Sequence, residues 1–277
     1  MLDLKTEYQK LYEALKVYEK EEAKEIAFLL LNHILGISKT NLVTSKSIKE
    51  AELKDLDAYI KRLNDWEPLQ YIINKAWFCE HEFFVDKNVL IPRPETEELV
   101  NLAIAIKPKT VLDLGTGSGC IPVSLALALK NAEVFAIDIS EDALKVAQKN
   151  AVDLHANVQF GKANLLDYEN PFGTKEFDLI ISNPPYVKEN EKSGIRQNVL
   201  NFEPHLALFV ENNDPLIFYE KIAKIGLKHL SQNGCILVEI NASLGPETCE
   251  VFLNAGFSKV EMIEDFFEKN RMIRVNR

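Results

Sequence analysis

The chain is poor in the residues that build disulfide frameworks and metal centres. Its 4 cysteines, Cys79, Cys120, Cys235 and Cys249, lie far apart and never as Cys-x-x-Cys. That spacing excludes a disulfide scaffold and reads as reduced thiols of a cytoplasmic protein. The 5 histidines are scattered without metal-ligand spacing, so no metal site is expected. Long apolar runs are missing as well. The longest, near Ile26-Ala27-Phe28-Leu29-Leu30-Leu31, stops at Asn32 and His33, short of a bilayer's thickness. The start, Met1-Leu2-Asp3-Leu4-Lys5-Thr6-Glu7, is charged and predicts no secretory signal. Positive charge is not in excess: 32 Lys and Arg stand against 42 Asp and Glu, a net −10. A broad phosphate-binding surface needs clustered Lys and Arg, so a direct nucleic-acid substrate is not expected, and neither is a membrane partner. No internal repeat or low-complexity tract is found.

What is present fits a globular protein with a sizeable core: 277 residues, 47% hydrophobic and 27% charged, enough for one large domain or two smaller ones. Before about Glu67, apolar residues recur at helical spacing. Leu11 and Leu15, then Ile26, Leu29 and Leu30, then Leu53, Leu56, Ile60 and Leu63 are expected to line a small bundle. Gly36 and Ser45-Lys46-Ser47 mark breaks between its helices. Ala76-Trp77-Phe78 and Glu82-Phe83-Phe84-Val85 predict a hairpin. From about Lys107 strands and helices alternate, the pattern of a parallel sheet covered on both faces. The expected division is a helical domain over 1–67, a hairpin linker over 68–93 and an α/β domain over 94–277.

Asn183-Pro184-Pro185-Tyr186 is the most informative stretch. It follows Phe177-Asp178-Leu179-Ile180-Ile181-Ser182, an apolar run that reads as a buried strand. Open α/β sheets bind ligands at such carboxyl ends. Both prolines have fixed φ and no N–H, and Asn183 is held extended by the proline after it. A nearly rigid frame of carbonyl oxygens and one carboxamide results. It can grip an –NH2 group by its two protons, or it can be a stiff turn without chemistry.

Upstream, Val111-Leu112-Asp113-Leu114 runs into Gly115-Thr116-Gly117-Ser118-Gly119-Cys120, and a helix is expected over Ile121–Leu129. Glycines permit φ > 0 and close ligand approach, and a helix start offers free N–H groups and a positive dipole end. Nucleotide-type ligands are cradled this way. Cys120 stands where a dinucleotide fingerprint wants its third glycine, a departure from that pattern. Asp113 can fix the loop or receive an ammonium group. The next strand, Glu133–Asp138, ends in an acid close to the ~20 residues expected for a ribose-binding carboxylate. The other reading of Asp138 is a cap for the helix that Ser140, Glu141 and Asp142 begin. A third strand, Asn157–Phe160, leads into Ala163-Asn164-Leu165-Leu166-Asp167, which either meets an adenine or is an ordinary strand exit.

Together these residues resemble the class I S-adenosylmethionine-dependent methyltransferases that carry Asn-Pro-Pro-Tyr and methylate planar amino nitrogens of adenine or glutamine. Val89-Leu90-Ile91-Pro92-Arg93-Pro94-Glu95-Thr96-Glu97, Pro68-Leu69-Gln70-Tyr71 and Phe202-Glu203-Pro204-His205-Leu206-Ala207-Leu208 are similar to segments of the peptide chain release factor glutamine methyltransferases. The resemblance spans nearly the whole chain. It implies a seven-stranded Rossmann-like sheet, last strand antiparallel, preceded by the helical bundle, here assigned to substrate recognition. It also implies methyl transfer from S-adenosylmethionine to the glutamine of the Gly-Gly-Gln motif in class I release factors, the expected partners. The alternatives are a ribosomal-protein glutamine and, less favoured, an adenine amino group.

By the same resemblance, Asp113, Gly115, Thr116, Gly117, Ser118, Gly119, Asp138, Asn164, Leu165 and Asn183 form the cofactor site. Asn183, Pro184, Pro185 and Tyr186 bind substrate. Asn183, Pro184 and Tyr186 carry the catalysis, with Tyr186 either beside the reacting groups or only packing the loop. Arg93, Glu95 and Thr96 sit near the site's mouth, and Glu203-Pro204 shapes the substrate channel. Three positions depart from the family: Asn164 for an aspartate, Asn74 for a glycine, and Leu244 for a glutamine.

Overall fold

The computed structural model describes residues 2–44 and 47–277, and they fall into two compact units. Met1–Asn74 and Arg196–Phe202 form the smaller one. Its helices span Leu4–Ala14, Lys20–Leu35, Lys39–Val43, Leu56–Asn64, Leu69–Ile73 and Gln197–Phe202. Asp3 caps the first, its Oδ2 accepting from the Thr6 N–H at 3.0 Å. Gly36, at φ 62°, closes the second in the left-handed conformation that glycine adopts freely. Leu11, Leu15, Leu30 and Leu63 are buried together as expected, but Leu29 is 39% exposed. The spacing identified a helical face and overstated its width; Ala27 and Leu31 take the inner positions. The predicted break at Ser45-Lys46 lies outside the described residues. Leu69 and Ile72 are buried in this same core, so the segment up to Asn74 belongs with the helices.

Lys75–Ile195 and Glu203–Arg277 form the larger unit. A hairpin pairs Ala76–Phe78 with His81–Phe83. Cys79 and Glu80 at its tip both have positive φ, 45° and 63°, which a two-residue primed turn requires. Phe78 and Phe83 bury their rings in the core of this unit.

Numbered in chain order within the larger unit, the sheet strands are β1 (Thr110–Leu114), β2 (Glu133–Asp138), β3 (Val158–Lys162), β4 (Phe177–Ser182), β5 (Leu230–Glu239), β6 (Lys259–Glu264) and β7 (Asn270–Asn276). They lie in the order β6-β7-β5-β4-β1-β2-β3. β7 is antiparallel to both neighbours, and the other pairs are parallel. Strand residues alternate between two cores. Leu112, Leu114, Ile180, Ile236 and Val238 face one; Val111, Leu179, Ile181 and Leu237 face the other. Helices α1 (Pro94–Ile106) and α2 (Cys120–Ala128) bury side chains in the second core. Helix α3 (Glu141–Asp153) follows β2; α4 (Ile217–His229) and α5 (Gly245–Ala255) cover the first. The fold is the class I methyltransferase α/β sandwich. Strand order reverses between β1 and β4, so a crevice opens at their carboxyl ends, where Gly115 and Asn183 stand.

Candidate active site

A cavity of about 250 Å³ occupies that crevice. Its floor is the turn after β1. Gly115, Gly117 and Gly119 have φ of 79°, 53° and 79°. A Cβ added to Gly115 or Gly117 meets no heavy atom within 4 Å; it would only fill the space above the turn. Gly119 is glycine for another reason: a Cβ there would lie 2.9 Å from the Ala147 Cβ and force α2 away from α3.

Asp138, at the end of β2, fastens this turn. Its Oδ2 accepts from the Gly117 N–H at 2.8 Å and its Oδ1 from the Ser140 N–H at 2.9 Å. The carboxylate thus joins the glycine turn to the start of α3, while Ser140 itself caps α3 through Ala143. Burial raises the Asp138 pKa, and the N–H groups of Ser140 and Gly117 oppose the rise. Each oxygen retains a second lone pair for a ligand hydroxyl. Asp113 lies beneath the turn, fully buried, and neither oxygen has a hydrogen-bond partner. Burial pushes its carboxyl up to about 7; the Thr116 hydroxyl opposes this without a hydrogen bond of ordinary geometry.

The third wall is the short turn after β3. Asn164 Oδ1 accepts from the Leu166 N–H at 3.0 Å, which fixes the turn and leaves the carboxamide at the cavity edge beside Leu165. Opposite the glycines is the tetrapeptide after β4. Pro184 is buried, and Asn183, Pro184 and Pro185 line the cavity. Asn183 Nδ2 donates to Thr96 Oγ1 at 3.1 Å, which turns Oδ1 away from Thr96. Thr96 in turn donates to Glu239 Oε2 at 2.7 Å. Thr96 stands in the first turn of α1, a helix begun by Pro94 at its first position.

Of the expected residues, Gly115, Thr116, Gly117, Ser118, Asp138, Asn164, Leu165, Asn183, Pro184 and Pro185 line one cavity. Asp113, Gly119 and Tyr186 are not on its wall. Gly119 acts through helix packing, and Tyr186 is half-buried with its hydroxyl donating to Glu239 Oε1 at 2.9 Å. Arg93 lines the cavity and its Nη2 donates to Glu203 Oε1 at 2.7 Å; Glu203 Oε2 accepts from the Ile91 N–H. That pair, its glutamate buried and its arginine partly exposed, ties the segment before α1 to the loop carrying Pro204 and Leu206 on the cavity wall. Glu239 was missed as a site residue. The signals were an acid ending an apolar strand, Cys235-Ile236-Leu237-Val238-Glu239, and its place at the head of the family-like segment Glu239-Ile240-Asn241-Ala242-Ser243-Leu244-Gly245, where only Leu244 was singled out. Among the described residues, no group of three His, Cys, Asp or Glu has metal-holding geometry, and no helix is long and apolar enough to cross a membrane.

The residue at 74 explains one departure from the family. Asn74 has φ 54° and closes the helix Leu69–Ile73 in the left-handed conformation. Glycine and asparagine are the residues that adopt it most readily, so the exchange preserves the loop.

Comparison with known proteins shows the family and the fold. Residues 107–251 match the model of a methyltransferase domain, and residues 8–73 match that of the PrmC N-terminal domain. The release factor glutamine methyltransferase of Flavobacterium psychrophilum is 43% identical over 94% of this chain and 94% of its own. That of Bacteroides thetaiotaomicron is 41% identical over 94% of this chain and 95% of its own. A methyltransferase structure from Pyrococcus furiosus superposes with a TM-score of 0.52 at 18% identity, over 70% of this chain and 87% of that one, which shows the shared fold.

Proposed function

The chain belongs to the release factor glutamine methyltransferase family, and we propose that it methylates the side-chain nitrogen of the Gly-Gly-Gln glutamine in class I peptide chain release factors. The observation that carries this is the Asn183 carboxamide. Thr96 fixes its –NH2 side, so an acceptor oxygen is presented across the cavity from the glycine turn.

The cavity fits S-adenosylmethionine. The open cradle over Gly115 and Gly117 leaves room for a ligand against the backbone, and the uncompensated Asp113 beneath it favours a cationic one. Gly115, Thr116, Gly117 and Ser118 are assigned to its amino-acid end, Asp138 to ribose hydroxyls, and Asn164 and Leu165 to adenine. When bound, this cofactor supplies a methyl group already activated on a sulfonium.

The chain's own residues address the harder half of the reaction. An amide nitrogen is a poor nucleophile because its lone pair is delocalised into the carbonyl. Two acceptors on the substrate –NH2, Asn183 Oδ1 and the Pro184 carbonyl, return density to nitrogen. They also keep the more nucleophilic amide oxygen off the reaction line. Holding the partners in line contributes up to ~7–11 kcal/mol in favourable cases. With S-adenosylmethionine held by these residues, its methyl would pass to this nitrogen, and the N-methylated amide cation would be acidic enough to release its proton to water. No general base is assigned.

The helical unit that matches the PrmC N-terminal domain is assigned to recognition of the protein substrate, which needs more surface than the cavity offers. A release-factor substrate puts the reaction in the cytoplasm. The test is transfer of labelled methyl into purified release factor, ribosomal protein and DNA, side by side. Label is expected on the release-factor glutamine alone; label on DNA, or on ribosomal protein in preference, refutes the assignment.

A further inference from the structure

We propose that Glu239 is a positioning residue for methyl transfer: acting through the Thr96 hydroxyl, it fixes which way the Asn183 carboxamide faces. The inference rests on Asn183 gripping the substrate amide, and it says how that grip acquires its polarity.

A carboxamide is nearly symmetric in shape and opposite in chemistry on its two ends. One end accepts two hydrogen bonds and the other donates two. Nothing in the Asn183-Pro184-Pro185 backbone itself decides which end meets the substrate. The hydrogen-bond chain behind Asn183 does. Glu239 ends β5 and is 1% exposed; Thr96 in α1 is 2% exposed. Burial raises the Glu239 carboxyl, and the Thr96 and Tyr186 hydroxyls, each donating to one of its oxygens, oppose the rise; with both oxygens accepting, as in the ionised form, the 2.7 Å contact is made with the Thr96 proton. With its single proton committed, Thr96 Oγ1 can only accept. It therefore takes a proton from Asn183 Nδ2, at 3.1 Å. A flipped Asn183 would set Oδ1 against Thr96 Oγ1, two acceptors with no proton between them. The second Glu239 oxygen is held by the Tyr186 hydroxyl at 2.9 Å, and the Glu239 carbonyl accepts from the Tyr219 hydroxyl at 3.1 Å. The carboxylate is thereby clamped from two elements and the Glu239 main chain from a third; among the described residues no ion pair includes it, and Arg271 is the cation that acts on it without direct contact.

A buried carboxylate without a contacting counter-ion is poor stabilising chemistry, since apolar replacements of buried charges are often neutral or better. Its value here lies in direction. With Oδ1 toward the substrate, the site receives an –NH2 group and repels a carboxylate, so glutamine is preferred to glutamate and nitrogen is presented rather than oxygen. With Nδ2 toward the substrate the preference would reverse.

The test uses the full chain and three substitutions. In Glu239→Gln, the new amide can donate to Thr96, and the freed hydroxyl proton can then turn to Asn183 Oδ1 and stabilise the flipped form. Glu239→Gln and Thr96→Val should each lower kcat on release factor by roughly 10–100-fold, the scale of one charge-assisted hydrogen bond. Cofactor Kd should stay within about twofold, because the groups assigned to the cofactor under the proposed function, Gly115 to Ser118, Asp138, Asn164 and Leu165, are untouched. The double variant should be no slower than Thr96→Val alone, as one chain is cut once or twice. Thr96→Ser, which keeps the hydroxyl, should run at least about tenfold faster than Thr96→Val. Independently of turnover, the Asn183 Nδ2 protons in asparagine-labelled protein, identified by their loss in Asn183→Ala, should exchange slowly in the parent and rapidly in Glu239→Gln. Additive losses, unchanged exchange, or a cofactor Kd that rises in step with the fall in kcat would overturn the relay. If Glu239→Gln does not fold, the contrast between Thr96→Val and Thr96→Ser decides. If the parent transfers no methyl to release factor, the functional reading fails while the exchange measurement still decides the relay.

Discussion

Asp113 sets up a pH-dependent stability that can be isolated by one substitution. Its carboxyl is completely buried beneath the glycine turn, and both oxygens lack partners. Burial moves its pKa from 3.8 to about 7. The folded state then holds a proton that the unfolded chain releases. Below pH 3.8 both states are protonated and nothing is lost. Between the two values the unfolded state binds fewer protons, so stability falls as pH rises; above about 7 the full penalty is present. Some three units at 1.36 kcal/mol each give a ceiling of ~4 kcal/mol. For a domain of this size that corresponds to roughly 10 °C in Tm. Asp113→Asn keeps the shape and removes the titration. Thermal unfolding of both proteins, followed by calorimetry from pH 4 to pH 8, should show a gap that moves in the variant's favour as pH rises. Glu203 and Glu239 titrate in both proteins and cancel in the difference, whereas the Asp138 charge adds to the rise at Asp113 and its contribution belongs to the gap. A cationic ligand above the turn offsets the buried charge, so S-adenosylmethionine at pH 8 should raise the Tm of the parent more than that of the variant. Parallel Tm curves, with a constant gap from pH 4 to pH 8, would refute the reasoning, because they would mean that Asp113 titrates alike in the folded and unfolded states.

Three further outcomes follow from the site. Asn183→Ala should abolish methyl transfer and leave the cofactor Kd within a few-fold, read by turnover and isothermal titration; retained turnover removes Asn183 from the chemistry. Asp138→Ala should weaken cofactor binding by about tenfold or more, the scale of hydrogen bonds to a charged group, and should lower Tm because the N–H groups of Gly117 and Ser140 lose their acceptor. A lowered Tm with unchanged Kd would leave it only the turn-fastening role. Asn164→Asp should keep the acceptor for the Leu166 N–H and set a charged oxygen toward the adenine amino group, tightening binding by ~1 kcal/mol or less. Weaker binding would show that the cavity-facing group must donate, and that the adenine edge lies elsewhere.

The parts of this site that could be read in the sequence are those whose geometry is covalent and local. Pro184 and Pro185 fix their own φ, and the glycines of the turn announce positive φ, so cradle and tetrapeptide were visible as motifs. Patterns that average over neighbours said less. Helical spacing put Leu29 inside the bundle because it counts residues along one face, whereas the width of that face is set by which helices pack on it. Strand periodicity likewise shows that β7 alternates and not that it runs antiparallel; direction is decided by the connection from β6. Glu239 was invisible for the strongest form of the same reason. Its role exists only in contacts with Thr96, 143 positions earlier, and with Tyr186, 53 positions earlier. Read alone, it was an acid at a strand end. Tyr186 changes meaning with it: two roles were open for the ring, and the structure ties its hydroxyl to the same carboxylate that directs Thr96. A four-residue motif therefore supplies the groups of the site, while a carboxylate remote in sequence supplies their direction, and only the second requires the sheet to have closed.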